Sequence, residues 1–146
     1  MIEGYATLWE TPDQQGEIMT KDAIVPFVDG YLKNGVLFYE HQQDDVVESH
    51  PIGRVLEAKV DDIGLWVKAQ VYKGNRFVEY AWNYIKQGVR GFSVGALRTA
   101  VEKVGRTITK WPLFEISVTA TPAVQGATFS LAKALNFQKS DRKSVV

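Results

Sequence analysis

A serine stands between two glycines in Gly91-Phe92-Ser93-Val94-Gly95. If this stretch is a β-strand, period-2 alternation sends Phe92 and Val94 to one face and the Ser93 hydroxyl to the other. The flanking glycines then remove bulk that would keep a substrate's backbone away. A serine hydroxyl is a poor nucleophile at neutral pH; it needs a base to take its proton, and that base gains from a third group that fixes its tautomer. The chain has two histidines, His41 and His50, and both precede Ser93. His41 ends the apolar run Val36-Leu37-Phe38-Tyr39-Glu40-His41, which reads as a strand that delivers it. His50 competes, but it directly precedes Pro51 after an acidic loop, where little would hold an imidazole still. Downstream, Leu113 to Thr121 alternates, with Phe114, Ile116, Val118 and Ala120 on one face and Glu115, Ser117 and Thr119 on the other. Glu115 is therefore the candidate third member, in the chain order histidine, serine, acid.

Other chemistries fare less well. The Gly-x-Ser-x-Gly spacing matches the nucleophile elbow of α/β-hydrolases, but there the histidine follows the serine and strands alternate with helices, and neither holds here. The absence of cysteine removes a thiol nucleophile, a disulfide framework and a thiolate zinc site. His41, Asp44, Asp45, Glu48 and His50 offer metal ligands within one loop, yet their spacing matches no helical two-histidine motif, and a solvated acidic loop is the simpler reading. No cofactor is expected.

The elements that must position these residues read as strands with a few helices inserted. Ile2 to Trp9 is a strand that runs into a polar loop. Ile24, Phe27, Val28, Tyr31 and Leu32 follow helical spacing, with Pro26 in the first turn and Asn34-Gly35 as the stop. Ile52 to Val60 and Leu65 to Val71 form a hairpin about Asp61-Asp62-Ile63-Gly64, with Leu65, Val67, Ala69 and Val71 on one face. Asn75 is the expected N-cap of a helix whose stripe Phe77, Tyr80, Ala81, Tyr84 and Ile85 should pack into the core, and Gly88 stops it. Gly105 marks a hairpin turn within Val101 to Arg106. Ala127 to Leu135 is a short element without a clear type.

Within 146 residues this predicts one domain over 1–135 and a flexible tail over 136–146. The fold class is β-dominated α+β, a small closed or rolled barrel of about seven strands with a few surrounding helices. The 17 basic and 17 acidic residues cancel, so there is no overall footprint for nucleic acid or an anionic membrane. No apolar run is long enough to span a bilayer and the N-terminus lacks a signal-peptide pattern, so a soluble, cytosolic chain is expected.

Taken in order, several blocks resemble the prohead serine proteases of tailed phages. They are the segment around His41 with Pro51-Ile52-Gly53-Arg54-Val55, then Asp61-x-x-Gly64-Leu65, then Gly91-Phe92-Ser93-Val94-Gly95, then Leu113-x-Glu115-Ile116-Ser117-Val118 closing on Thr121-Pro122-Ala123. The likeness runs from Gly4-Tyr5-Ala6 and Asp13-x-x-Gly16-Glu17 to about Ala127. It implies a fold similar to the herpesvirus protease assemblin, with Ser93 as nucleophile, His41 as base and Glu115 as third member. It implies capsid-maturation activity, with scaffolding protein and major capsid protein as partners, self-cleavage, a possible homo-oligomer, and a place inside the immature capsid in the host cytoplasm. It leaves the oxyanion donors open between backbone amides and an arginine such as Arg98. A catalytically inactive barrel that serves as scaffold or assembly partner is the alternative.

Overall fold

Leu65, Val67, Ala69 and Val71, expected to share one face, are all buried, and the sheet is built on the strand that carries them. A computed structural model describes residues 1–40, 51–74 and 76–132. His41, His50, the acidic loop between them, the Asn75 cap and the 136–146 tail lie outside these residues. The Leu65 strand is β5 (Gly64–Val71), which pairs antiparallel with β1 (Ile2–Leu8) on one side and β4 (Gly53–Val60) on the other. The β4–β5 turn is where the sequence places it. Asp61 Oδ1 accepts from the N–H groups of Ile63 and Gly64 at 2.8 and 3.0 Å, and its Oδ2 accepts from the Tyr5 hydroxyl at 2.6 Å. The tyrosine bond first, and the backbone donors with it, hold the Asp61 carboxyl below the usual carboxylate range.

Among the described residues seven strands form one sheet in the order β10-β1-β5-β4-β3-β9-β6, where β3 is Val36–Tyr39, β6 Gly91–Ala96, β9 Leu113–Thr119 and β10 Phe129–Leu131. β3 and β9 run parallel, and the other neighbours are antiparallel. The sheet curls until its two edges approach: Phe92 N–H reaches Ala127 O and Phe129 N–H reaches Arg90 O, each at 2.8 Å, and Gly91 bridges Thr128. The result is a rolled half-barrel and not a closed one, because β10 spends its ladder on β1 and touches β6 only where it begins. The concave face holds Leu37, Val55, Val67, Phe92, Ile116 and Val118, each at most 1% exposed. Phe92 packs on Phe129 with ring centroids 4.7 Å apart, closing the seam from inside. Burial of one such ring contributes about 1.5–3 kcal/mol. A second, three-stranded sheet joins β2 (Ile18–Met19), β8 (Thr107–Lys110) and β7 (Glu102–Val104), and Gly105, at φ 62°, turns the β7–β8 hairpin as expected.

Two helical expectations need correction. The helix expected from Ile24 is three pieces: α1 (Lys21–Ile24), a 3₁₀ turn Val25–Phe27 and α2 (Val28–Leu32). Pro26 is the cause, since it brings no N–H to a continuous ladder. Gly35 still ends the run, with φ 58° and its N–H on Tyr31 O at 2.7 Å. In α3 (Arg76–Lys86) the buried stripe is Val78, Ala81 and Ile85, whereas Tyr80 and Tyr84 are 54% and 42% exposed. These two tyrosines group around Tyr39 at the end of β3, edge-on and stacked respectively, so they form an aromatic rim rather than core. Among the described residues no helix is long and apolar enough to cross a membrane.

Candidate active site

Register decides what faces Ser93. β6 and β9 pair so that Gly91 is opposite Thr119, Ser93 opposite Ser117 and Gly95 opposite Glu115. Opposed residues of an antiparallel pair point to the same side, so Ser93, Ser117, Thr119 and Glu115 all stand on the convex face, with Phe92, Val94, Ile116 and Val118 on the other. The alternation expected for both strands holds from Glu115 to Thr119, but Phe114, expected on the buried apolar face, is 47% exposed. The convex face is nonetheless covered: Ser93 is 8% exposed, and Glu115 and Ser117 are fully buried. A buried carboxylate needs donors, and the Ser117 hydroxyl donates to Glu115 Oε1. Glu115 lies one diagonal step from Ser93 across the strand pair. Its charge is felt by Tyr31 of α2, whose phenol is pushed far above its ordinary range, by burial first and by Glu115 second.

The glycines have a different use from the one expected. A Cβ at Gly95 would fall on the Glu115 carboxylate, 2.8 Å from its Cδ and closer still to Oε2. A Cβ at Gly91 would meet Thr119 O at 2.6 Å and Pro122 Cδ at 2.7 Å. Gly95 is thus the seat of the Glu115 side chain, and Gly91 lets the chain after β9 fold over β6; the space is filled by the protein itself. Gly95→Ala is expected to displace the Glu115 carboxylate from its place beside the serine row and to destabilise the fold by about 1–3 kcal/mol, the usual cost of overpacking. Thermal denaturation beside the wild-type chain checks this.

The base expected from sequence lies outside the described residues, as do His50 and the loop metal ligands. β3 ends at Tyr39 beside Val118, Glu40 follows with φ 54°, and the chain resumes with Ile52 N–H on Leu37 O at 2.8 Å. The Glu40 carboxylate accepts from Thr119 Oγ1 at 2.6 Å and from Ala120 N–H at 3.1 Å. Arg98 sits exposed on a 3₁₀ turn, Arg98–Ala100, beyond the end of β6. Ser93 and Glu115 are therefore brought together on one face, and Arg98 lies past the end of that strand. Ser117 and Glu40 are the polar residues that sequence reasoning passed over. Ser117 was legible as the next position on the polar face after Glu115; Glu40 carried no signal beyond preceding His41.

A family model of the caudovirus prohead serine proteases matches residues 1–141. The chain belongs to that family. A prohead protease of Escherichia phage T5 is 26% identical over 142 residues, which is 92% of this chain and 64% of the T5 protein. A capsid polyprotein of Pseudomonas phage PAJU2 is 32% identical over 109 residues, 67% of this chain but 16% of the polyprotein. The chain thus spans less than two thirds of either relative's length. The prohead protease family is one of serine peptidases, which fits a serine on an edge strand of the main sheet.

Proposed function

We propose that this chain is a serine endopeptidase that matures phage proheads, with Ser93 as nucleophile, His41 as base and Glu115 as the group that steadies the imidazolium. The observation that carries the reading is the convex row on β6 and β9, where Ser93 stands beside Ser117 and one diagonal step from a fully buried carboxylate. Ser93 Oγ attacks the scissile carbonyl as His41 takes the hydroxyl proton. His41 returns that proton to the leaving amine, and water then releases the acyl group by the same route. Backbone amides near Ser93 are the preferred oxyanion donors over Arg98. Because β6 is an edge strand, its outer side beyond Phe92 suits an extended peptide adding alongside.

The substrates we assign are scaffolding protein or the scaffolding segment of the major capsid protein, met inside the immature capsid in the host cytoplasm, and the chain's own ends by self-cleavage. The match to a capsid polyprotein supports that assignment. Incubation with purified capsid or scaffold precursor, followed by mass spectrometry of both proteins, tests it. Defined fragments of the precursor are the expected result. An intact precursor, with a chain that a fluorophosphonate probe does not label, would instead establish a non-catalytic assembly protein.

A further inference from the structure

A small cavity lies in the seam between β1 and β6, lined by Ala6 and Thr7 of β1, by Phe92 and Ser93 of β6, and by Ile108 of β8 with Trp111 just after that strand. Thr7 pairs with Leu65 across β1 and β5, so its side chain stands on the concave side, where it is buried. Trp111 is held by its backbone N–H, which donates to Ala23 O at 2.8 Å. Among the described residues, Thr7 Oγ1 and Trp111 Nε1 are the buried side-chain atoms that have no hydrogen-bond partner. Folded proteins leave few such groups unpaired, since each forfeits its bonds to water without replacement. Here both belong to the wall of one cavity, and that cavity borders the proposed nucleophile. Its volume is about 40 Å³. At about 10–15 Å³ for one water, that is room for about three non-hydrogen atoms.

The chemistry of the wall narrows the occupant. An indole N–H only donates, whereas a threonine hydroxyl donates or accepts. One entering hydroxyl therefore satisfies both, accepting from Trp111 and donating to Thr7. Charge is not what the wall lacks. Asp13 and Glu17 also border the cavity, but Asp13 Oδ1 already accepts from the N–H groups of Gln15 and Glu17, each at 2.8 Å, and the Glu17 carboxylate is paired with Lys103. The apolar wall of Ala6, Phe92 and Ile108 suits a methyl or methylene group. We propose that the cavity is the subsite for the substrate residue that supplies the scissile carbonyl, and that it takes a short hydroxyl side chain, serine or threonine, with Thr7 and Trp111 as the specificity-determining residues. The Cα of that residue is bonded directly to the carbon that Ser93 attacks, which brings its side chain to the cavity that Ser93 borders. The proposal rests on the reading of Ser93 as nucleophile.

The test uses peptides that span a precursor cut site mapped by mass spectrometry and differ only at that residue, which is serine, threonine, alanine or valine. Threonine and valine match in shape, so their ratio of kcat/KM reads the hydroxyl alone. The wild-type chain is expected to favour threonine over valine, and serine over alanine, by about 10- to 100-fold. Thr7→Val and Trp111→Phe each remove one polar partner, and each should lower both ratios by about tenfold. If Trp111→Phe fails to fold, Thr7→Val carries the comparison, since it keeps the shape of the side chain and deletes a buried hydroxyl that has no partner. Similar rates on all four peptides, ratios that neither variant changes, or mapped cut sites without serine or threonine at that position would make the cavity a hole for structural water and overturn the subsite. Fluorophosphonate labelling of the wild-type chain tells that failure from a deeper one. Labelling at Ser93 without a hydroxyl preference overturns the subsite alone, and a wild-type chain that is not labelled at Ser93 overturns the nucleophile reading and the subsite with it.

Discussion

Ser93→Ala is expected to abolish fluorophosphonate labelling and to reduce precursor cleavage by at least about 10⁴-fold, while leaving the melting temperature within a few degrees of wild type. The probe reports the nucleophile directly: Ser93 Oγ forms a bond to phosphorus, fluoride leaves, and the hydroxyl proton passes to the base. The fold should tolerate the change because only one hydroxyl is removed, a loss of about 0.5–1.5 kcal/mol if it is hydrogen bonded. The substitution also discriminates between two serines that face the same way on neighbouring strands. Ser117 is fully buried and donates its hydrogen to Glu115, so its hydroxyl is committed, whereas Ser93 keeps 8% exposure on the edge strand. Residual labelling of Ser93→Ala that maps to Ser117 would reverse that assignment.

How much of this was legible in the sequence depends on the range of the interaction. Alternation in β5 and β9 is a local property, and it put Leu65, Val67, Ala69 and Val71 on a buried face and Glu115 on the face of Ser117 and Thr119. Glycine stops at Gly35, Gly88 and Gly105 were likewise local, and each has positive φ. The faces of α3 were harder. Phe77, Tyr80 and Tyr84 lie one residue, about 100° of helix, from Val78, Ala81 and Ile85, and which stripe enters the core depends on what the helix packs against, Tyr80 and Tyr84 lying beside Tyr39. Long-range facts were not readable at all. That the polar face of β9 is buried depends on what lies over it. That Gly95 exists to seat a carboxylate depends on Glu115, twenty positions later in sequence. That the barrel stays open depends on how β10 divides its pairing between β1 and β6.

Glu115→Gln is expected to lower the rate of labelling and of precursor cleavage by roughly 10²–10⁴-fold through kcat, with KM little changed. Gln is nearly isosteric, so the space over Gly95 stays filled, and its carbonyl oxygen still accepts from Ser117. What disappears is the carboxylate that, in the proposed mechanism, steadies the imidazolium formed in the transition state, in a place with no solvent contact. The stability change has the opposite sense: burial disfavours a carboxylate, so the Gln chain should be as stable as wild type or more so. Glu115→Ala differs in both respects, because it empties the seat above Gly95 and takes the acceptor away from the Ser117 hydroxyl, at an expected cost of about 1–3 kcal/mol. Activity and stability therefore move in different directions for Gln and together for Ala, a pattern that a purely structural glutamate would not produce. A Gln chain that labels and cleaves at the wild-type rate would remove Glu115 from the mechanism and leave Ser117, Gly95 and Glu115 as a packing motif behind a two-residue machine.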